Sequence, residues 1–448
     1  MRTGKIAAAV VGIAVVAALS GCSAGAGAAD AGGKATVNWW TWDPNQAAAY
    51  SECIPAFEKA NPDIKVEVSQ FNVSDYFTKL TTGFVAKTAP DAFQNSVTFF
   101  ESYASQGQIL AMDDLIKKSN YDTGVFADGV DLWKYTDGKQ YGLPLDWAAA
   151  ALYFNKDLVQ QAGLTDDQLE NLTWNPKDGG TFLSVVKHLS VDVNGVRGDE
   201  AGYDKDHVAV YGIGALASND NLGQTTWGPF AGSAGFKLTD KPNWPTQFNY
   251  ADKTFISTMD FIRSLSDDGF APKLGQFTTG GSDQIGSGKV AIVPGGSWEA
   301  TSLTKLPGVK VGIAPVVSSE DGKRSVITNM NGNNIWAGTK HQEQTWKWVS
   351  YMGSEACQTA AATSNGSFFP SIAKSMTALI DSSSKAGVDL SVFGQYQSSG
   401  SLFPAPAYSN GAKMEAEIRP QFEAYFLGQT GDETWPKLQE QTKQIIAG

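Results

Sequence analysis

Histidine is scarce in this sequence, with three residues in 448. His188, His207 and His341 lie far apart along the chain and share no ligand spacing. Zinc sites in proteins normally take Cys, His or carboxylate ligands at short, recurring spacings. We therefore expect neither a metal site nor a metal cofactor.

Basic residues are outnumbered, since 34 Lys and Arg face 46 Asp and Glu for a formal net charge of −12. Nucleic acids and anionic lipid surfaces attract clusters of positive charge. The acidic balance argues against both as ligands. Beyond the N-terminus, no apolar run reaches the roughly 20 residues of a membrane-spanning helix. A chain of this length favours two or more domains.

The apolar run at the N-terminus is short, covering the uncharged residues 6–19 behind two basic residues. This pattern is typical of an export signal. The tetrapeptide LSGC that follows resembles a bacterial lipobox, whose cysteine is lipidated; the alternative is an ordinary secretory signal with a chance cysteine. We predict a lipoprotein signal peptide over 1–21, lipidation at Cys22, and a flexible tether of small residues over 22–33. The protein would then be anchored to the cell membrane on its extracytoplasmic face.

Two further cysteines remain, Cys53 and Cys357. Exported proteins live in oxidising surroundings, where such a pair can form a disulfide. The alternative is two buried free thiols. A bridge also requires the two Cα atoms to lie within about 7 Å, which sequence spacing does not decide.

Short β-prone segments alternate with helical patterns, which predicts an α/β fold. The predicted strands cover 36–41, 64–68, 91–94, 152–154, 208–213, 289–293 and 309–313. The predicted helices cover 47–60, 74–88, 99–106, 156–162, 180–189, 253–267, 342–352, 413–426 and 433–446. Pro55 is expected to kink the first helix and Thr173 to cap the fifth. The segments 216–244 and 329–334 are expected to be functional loops.

Aromatic residues are abundant, with 13 Trp and 14 Tyr, and several Trp adjoin Asp, Asn or Gly. A pyranose has a flat apolar face that an aromatic ring can remove from water. Its hydroxyl rim both donates and accepts hydrogen bonds, which suits Asp, Asn and Gln side chains. The alternative is that these rings belong to the core. Because the Trp–polar clusters recur at strand ends and Gly turns, the pattern favours a sugar-binding cleft at the carboxyl ends of strands.

A series of short motifs runs in order along the chain. They are FEKANP at 57–62, APDAF at 89–93, YASQGQIL at 103–110, YGLP at 141–144, LYFNKDL at 152–158, GKVAI at 288–292, GSW at 296–298 and GSFFP at 366–370. In this order they resemble the extracellular solute-binding proteins of carbohydrate ABC importers, relatives of maltose-binding protein. The segment TWNPKDGG at 173–180 departs from the family pattern.

The resemblance implies a two-lobe α/β fold of the type II periplasmic-binding-protein kind, with a hinge and a ligand cleft between the lobes. The first lobe would hold 34–145 and 315–366, and the second 146–314 and 367–448. Cys53 and Cys357 would then share a lobe, which favours the bridge. We expect a monomer.

The resemblance also implies which residues contact the sugar. They are Trp42, Asp43, Asn45, Asn95, Ser96, Asp146, Trp147 and Trp298. Four more residues are proposed for their chemistry and lobe position: Trp227, Asn331, Phe369 and Tyr408.

The predicted function is to bind a sugar, taken to be an oligosaccharide, outside the cell and to deliver it to an ABC permease by hinge closure, without catalysis. One alternative is a secreted glycoside hydrolase, which would need two carboxylates flanking one bond. Its candidates would be Asp43, Glu101, Asp146 and Glu299. The other alternative is a binding protein for a solute that is not a sugar.

Overall fold

The computed structural model describes residues 34–448 except 128, 215, 278 and 367. The predicted signal peptide, the lipidation site Cys22 and the tether over 22–33 lie outside the described residues. Within the described part, none of the helices combines the length and the apolar character needed to cross a membrane.

The described residues form an alternating α/β chain. The strands are β1 (Ala35–Thr41), β2 (Ile64–Gln70), β3 (Ala92–Ser96), β4 (Gly142–Ala148), β5 (Ala150–Asn155), β6 (Val191–Asp192), β7 (Val208–Ile213), β8 (Val290–Gly296), β9 (Val311–Ala314), β10 (Val326–Ile335), β11 (Phe369–Pro370) and β12 (Leu402–Pro404). The helices up to β8 are α1 (Pro44–Ser51), α2 (Ile54–Ala60), α3 (Val73–Ala86), α4 (Val97–Ser105), α5 (Asp113–Ser119), α6 (Lys156–Gln161), α7 (Asp166–Glu170), α8 (Gly180–Leu189), α9 (Gly228–Ser233), α10 (Lys253–Asp267) and α11 (Gly281–Gly286). The later helices are α12 (Ala300–Thr304), α13 (Gln342–Met352), α14 (Glu355–Asn365), α15 (Ala373–Lys385), α16 (Ser391–Ser399), α17 (Gly411–Phe426) and α18 (Thr434–Ala447). Short 3-10 turns cover Thr123–Val125, Val130–Trp133 and Ser297–Glu299.

The strands form two separate sheets. The first sheet has the order β11-β4-β10-β3-β1-β2, with β12 paired to β10, and the second has the order β6-β7-β8-β5-β9. In the first sheet β1 is parallel to β2 and β3, while β10 runs antiparallel between β3 and β4. The strands β1, β3 and β4 therefore end at the same edge. Because β5 of the second sheet begins two residues after β4 ends, this edge is where the chain passes between sheets.

Most of the predicted elements with clear periodicity are present in the structure. The helix predicted over 47–60 is divided into α1 and α2, and Pro55 lies in the first turn of α2, where its missing N–H costs no hydrogen bond. Thr173 is not the cap of α8, because Gly179 holds that position in a left-handed conformation. The prediction of a loop over 329–334 is wrong, since these residues lie inside β10.

The predicted lobe boundaries stay a prediction in their detail, but one part needs correction. The segment 367–448 was assigned wholly to the second lobe. Two of its strands join the first sheet instead, β11 through β4 and β12 through β10. The helix that follows β11, α15, packs against α14 of the first lobe.

The two internal cysteines meet across the first lobe. Cys53 precedes α2, Cys357 lies in α14, and the two form a disulfide with their Cα atoms 5.2 Å apart. Both side chains are buried. Of the two possibilities that the sequence left open, the structure therefore contains the bridge.

Candidate functional site

The edge where β1, β3 and β4 end collects polar residues from distant parts of the chain. Asn331 of β10 pairs with Ser96 of β3 on one side and with Asp146 of β4 on the other. Trp42 and Asp43 follow β1 directly. The sheet topology therefore brings together predicted site residues that are up to 289 positions apart in sequence.

A cavity of about 600 Å³ opens at this edge. Its volume lies within the range of about 300–1,000 Å³ that is usual for small-molecule sites. The lining residues come from the first lobe, from the loop before α9, from β10 and from α17. They are Trp42, Val73, Ser74, Phe77, Thr78, Ser96, Val97, Thr98, Phe99, Asp220, Leu222, Gln224, Ile327, Asn329, Ala405, Glu415 and Arg419.

One wall of the cavity is aromatic. The ring of Trp42 lies 5.2 Å from that of Tyr76 and 5.4 Å from that of Phe77, and Phe77 stacks on Phe99 at 3.9 Å between centroids. Trp42, Phe77 and Phe99 are only partly buried. They form a continuous apolar surface of the kind that can cover the flat face of a sugar ring.

Sequence reasoning identified Trp42 but missed Phe77 and Phe99. Phe77 directly follows Tyr76, which lies on the buried face of α3. Phe99 directly precedes Phe100, which lies on the buried face of α4. A large apolar residue one position off the buried face of an amphipathic helix was the available signal.

The opposite wall carries charged and amide side chains. Arg419 Nη1 lies 3.6 Å from Glu415 Oε2, and Arg419 Nη2 donates to Asn219 Oδ1 at 3.4 Å. The two carboxylate oxygens of Asp220 accept from the backbone N–H groups of Leu222 and Gln224, each at 3.0 Å. Burial raises the pKa of Glu415, and the nearby Arg419 opposes that shift. Nothing in their sequence context marked these residues as neighbours.

Asp146 lies at the centre of a buried polar network. Its Oδ1 accepts from Asn331 Nδ2 and its Oδ2 from Gln46 Nε2, both at 2.7 Å. The residue is 2% exposed. Burial is the main reason that the pKa of Asp146 rises to about 7, and Asp43 adds to the rise while the two amide donors oppose it.

The other predicted residues at this edge mainly organise the backbone. Asp43 caps α1, since its Oδ1 accepts from the N–H groups of Asn45 at 2.7 Å and Gln46 at 3.0 Å. Asn95 is buried and accepts from the N–H of Ser96, whose own hydroxyl caps α4. Asn45 is exposed at the start of α1.

Trp298 lies on the second sheet, in the turn that follows β8, and is 40% exposed. Its indole packs over Gly296, where a Cβ atom would lie only 2.2 Å from the ring. The preceding residue, Ser297, donates its N–H to the carbonyl of Ala149 at 2.8 Å, which ties this turn to the chain between the sheets. Trp298 is therefore held near the first crossover, the segment between β4 and β5 where the chain passes from one sheet to the other. It does not line the 600 Å³ cavity.

Four predicted ligand contacts need correction, because the structure packs their rings in the interior. Trp147 lies 5.0 Å from Phe369 and donates its Nε1–H to the carbonyl of Pro370. Trp227 is fully buried in the second lobe, and Tyr408 packs 5.2 Å from Phe248. Buried rings of this kind offer no free face to a ligand. The number of tryptophans beside polar residues was therefore a poor guide to which of them reach the cleft.

Comparison with known proteins supports the predicted fold and the predicted role in solute binding. A family model described as bacterial extracellular solute-binding protein matches residues 52–388. The lactose-binding protein of Rhizobium radiobacter is 31% identical over 168 residues, which cover 35% of this chain and 36% of that protein. The maltodextrin-binding protein MdxE of Bacillus subtilis is 26% identical over 349 residues, covering 75% of this chain and 74% of that protein.

Among solved structures, M. tuberculosis UspC superposes with a TM-score of 0.72 at 25% identity, covering 92% of this chain and 100% of that one. This likeness confirms the predicted two-lobe fold of type II periplasmic binding proteins.

Proposed function

Because the chain belongs to the bacterial extracellular solute-binding protein family, we propose that it binds an oligosaccharide in the cleft between its two sheets and delivers it to an ABC permease. The observation that carries this proposal is the cavity whose one wall is aromatic and whose other wall is polar. The names of two relatives, for lactose and for maltodextrin, support a sugar rather than another solute.

The two walls suit the two surfaces of a sugar. Trp42, Phe77 and Phe99 can cover the apolar face of a pyranose ring, at about 25 cal/mol for each Å² of apolar surface removed from water. Gln224 and the charged side chains of α17 can pair with the hydroxyl rim, since hydroxyls both donate and accept. A cavity of about 600 Å³ is large enough for more than a single small sugar ring, which favours an oligosaccharide.

Delivery would follow from hinge closure. The chain passes between the sheets after β4 and again between β9 and β10. Gln224 of the second lobe already donates to the carbonyl of Ala148 in the first crossover at 3.3 Å. A sugar that contacts both walls binds the closed form better than the open one, and only that difference in affinity can drive closure.

Binding without hydrolysis is favoured by the state of the carboxylates. Asp146 has both oxygens occupied by amide donors, Asp43 caps α1, and Glu299 accepts from the N–H of Gly296 at 3.0 Å. The carboxylates that line the cavity are engaged as well, Asp220 by two backbone N–H groups and Glu415 by Arg419. A glycosidase would instead need two carboxyl groups free to act on the same bond. The lipobox-like sequence supports anchoring through Cys22 on the outer face of the membrane.

A ligand panel tests the proposal. Thermal-shift and calorimetric titrations would use lactose, maltotriose, mannotriose and arabinotriose, with amino acids and a tripeptide as non-sugar solutes. We expect at least one oligosaccharide to bind and to be recovered intact by chromatography. Binding of amino acids or peptide alone, or consumption of the sugar, would contradict the proposal.

The variant Trp298→Ala tests the second-lobe contact. We expect its affinity for the bound sugar to fall at least about tenfold, or about 1.4 kcal/mol, because closure of the second lobe would bring this exposed indole, which lies outside the cavity here, onto the sugar. The matched control is Trp336→Ala, which removes a half-buried indole just beyond the carboxyl end of β10. Unchanged affinity in the Trp298 variant, or an equal loss in both variants, would show that Trp298 does not contact the sugar.

A further inference from the structure

Both oxygens of the Asp146 carboxylate are already in use within the protein. Gln46 Nε2, from the first turn of α1, and Asn331 Nδ2, from β10, each donate to it at 2.7 Å. Asp146 is also 2% exposed, so the carboxylate is not open to a sugar hydroxyl. Its influence on a ligand must pass through the two amides that it holds.

The other ends of these two amides lack donors. Gln46 Oε1 and Asn331 Oδ1 are buried and make no hydrogen bond with any described residue. Asn331 lies two positions beyond Asn329 on the same face of β10, and Asn329 and Ile327 line the cavity. The carbonyl oxygen of Asn331 thus lies in the row of side chains that borders the cleft, opposite Ser96.

The chemistry of the carboxyl group decides which end of each amide faces it. An ionised carboxylate only accepts, so both amides must turn their NH₂ groups towards it and their carbonyl oxygens away. A protonated carboxyl also donates one O–H. An amide that accepts this O–H turns its oxygen towards Asp146 and its NH₂ group away.

We propose that Asp146 is a positioning residue whose protonation sets whether the Asn331 amide, at the border of the cleft, offers an acceptor or a donor to the bound sugar. This inference rests on the proposed function and deepens it, because it assigns the control of hydrogen-bond polarity in the cleft to a residue that the sugar does not touch. It also makes sugar binding depend on pH.

The surroundings of Asp146 place the protonation of its carboxyl group near neutral pH. Burial raises the pKa of Asp146 to about 7, with a further contribution from Asp43. From α1 it faces Asp43, the neutral Gln46 and Tyr50, whose pKa burial raises well above its ordinary value. From β10 it faces the neutral Asn331. From β11 its partner across the strands is Pro370, which carries no charge. Asp146 is therefore the group of this network expected to titrate near neutrality.

The first experiment needs no sugar. Side-chain amide signals of ¹⁵N-labelled protein, assigned with Asn331→Ala and Gln46→Ala, would be followed between pH 5.5 and 8.5. We expect the Asn331 NH₂ signal to shift with a single midpoint near 7, and the shift to vanish in Asp146→Asn. Signals that do not move with pH, or that move equally in Asp146→Asn, would overturn the inference.

The second experiment uses sugar. The panel sugar that binds, with maltotriose taken first, would be titrated by calorimetry across the same pH range. We expect about two- to tenfold weaker binding at pH 5.5 than at pH 8.5, corresponding to one altered hydrogen bond. The same midpoint should appear in wild type and be absent from Asp146→Asn.

The matched control is Asp91→Asn. Asp91 is a buried carboxylate of the same lobe that accepts from the N–H of Asn38 at 2.9 Å, just before β3 and away from the cleft. This variant should retain the pH profile of wild type. A pH-independent affinity in wild type would overturn the inference and leave sugar binding intact, whereas a panel without any bound sugar would overturn the proposed function itself.

Discussion

Tryptophans with similar sequence neighbours have different roles in this protein. Trp227 and Trp298 each follow small polar residues and precede another polar or small residue. Yet Trp227 is 0% exposed and packs 5.1 Å from Phe255, whereas Trp298 is 40% exposed at the turn after β8. Only the surroundings in three dimensions separate a core ring from a ring that can meet a ligand.

This contrast predicts losses of stability of different size for the two alanine variants. Trp227→Ala should lower the free energy of unfolding by about 3–5 kcal/mol, because it leaves a cavity among packed rings. Trp298→Ala should lower it by less than about 1 kcal/mol, as is usual for an exposed position. Urea unfolding followed by circular dichroism measures both. Equal losses in the two variants would show that the burial assigned to Trp227 is wrong.

The aspartates show the same diversity of roles. Asp43 caps a helix, Asp91 joins β1 to the loop that follows β10, and Asp146 orients two amides. Each is followed by a different residue type. Their roles depend on which donors the fold brings within hydrogen-bonding distance.

At the scale of elements, β10 is the strand that completes the site. Its asparagines reach in several directions: Asn333 Oδ1 accepts from Trp39 Nε1 at 2.7 Å, and Asn334 Nδ2 donates to the carbonyl of Tyr141 at 2.8 Å. Asparagine is disfavoured in strands by propensity, so the sequence predicted a loop. Burial with paired side chains outweighs that propensity here.

The disulfide is a second feature of this scale, because it joins the region between α1 and α2 to α14. The double variant Cys53→Ala/Cys357→Ala should unfold with a free energy about 2–5 kcal/mol lower than wild type. Its sugar affinity should change by less than about twofold, since a twofold change is only about 0.4 kcal/mol and the site residues Asp43 and Gln46 lie at the other end of α1. Denaturant unfolding and calorimetry check the two parts. A stability equal to that of wild type would show that the bridge does not form or does not stabilise the fold.

The site depends on two sheets that share one edge region. The aromatic wall belongs to the first lobe, and the charged wall belongs to the loop before α9 and to α17. Neither wall encloses a ligand alone. Closure of one lobe over the other is therefore the motion that would complete the contacts.

A bound sugar should make the molecule both more compact and more stable. At a sugar concentration one hundred times the dissociation constant, we expect a gain of about 2.7 kcal/mol in unfolding free energy. Small-angle scattering should show a smaller radius of gyration at the same concentration. Trp298→Ala at an equal sugar concentration serves as the control and should show smaller changes in both quantities. A stability gain without compaction would contradict hinge closure.

The sequence alone determined the α/β class, the helices and strands with clear periodicity, and the resemblance that led to the two-lobe fold. These follow from local propensity and from motifs whose order is visible along the chain. Trp42, Ser96 and Asp146 could be proposed for the site from the family resemblance, and Asn331 from its chemistry and lobe position.

The remaining features depend on how the chain folds in three dimensions. The tertiary structure showed which indoles are free, it joined Arg419 and Glu415 to a cleft that opens beside Trp42, and it set the direction of the amides around Asp146. The physical reason is that burial and hydrogen-bond partners depend on contacts between residues hundreds of positions apart. Neither periodicity nor spacing records such contacts.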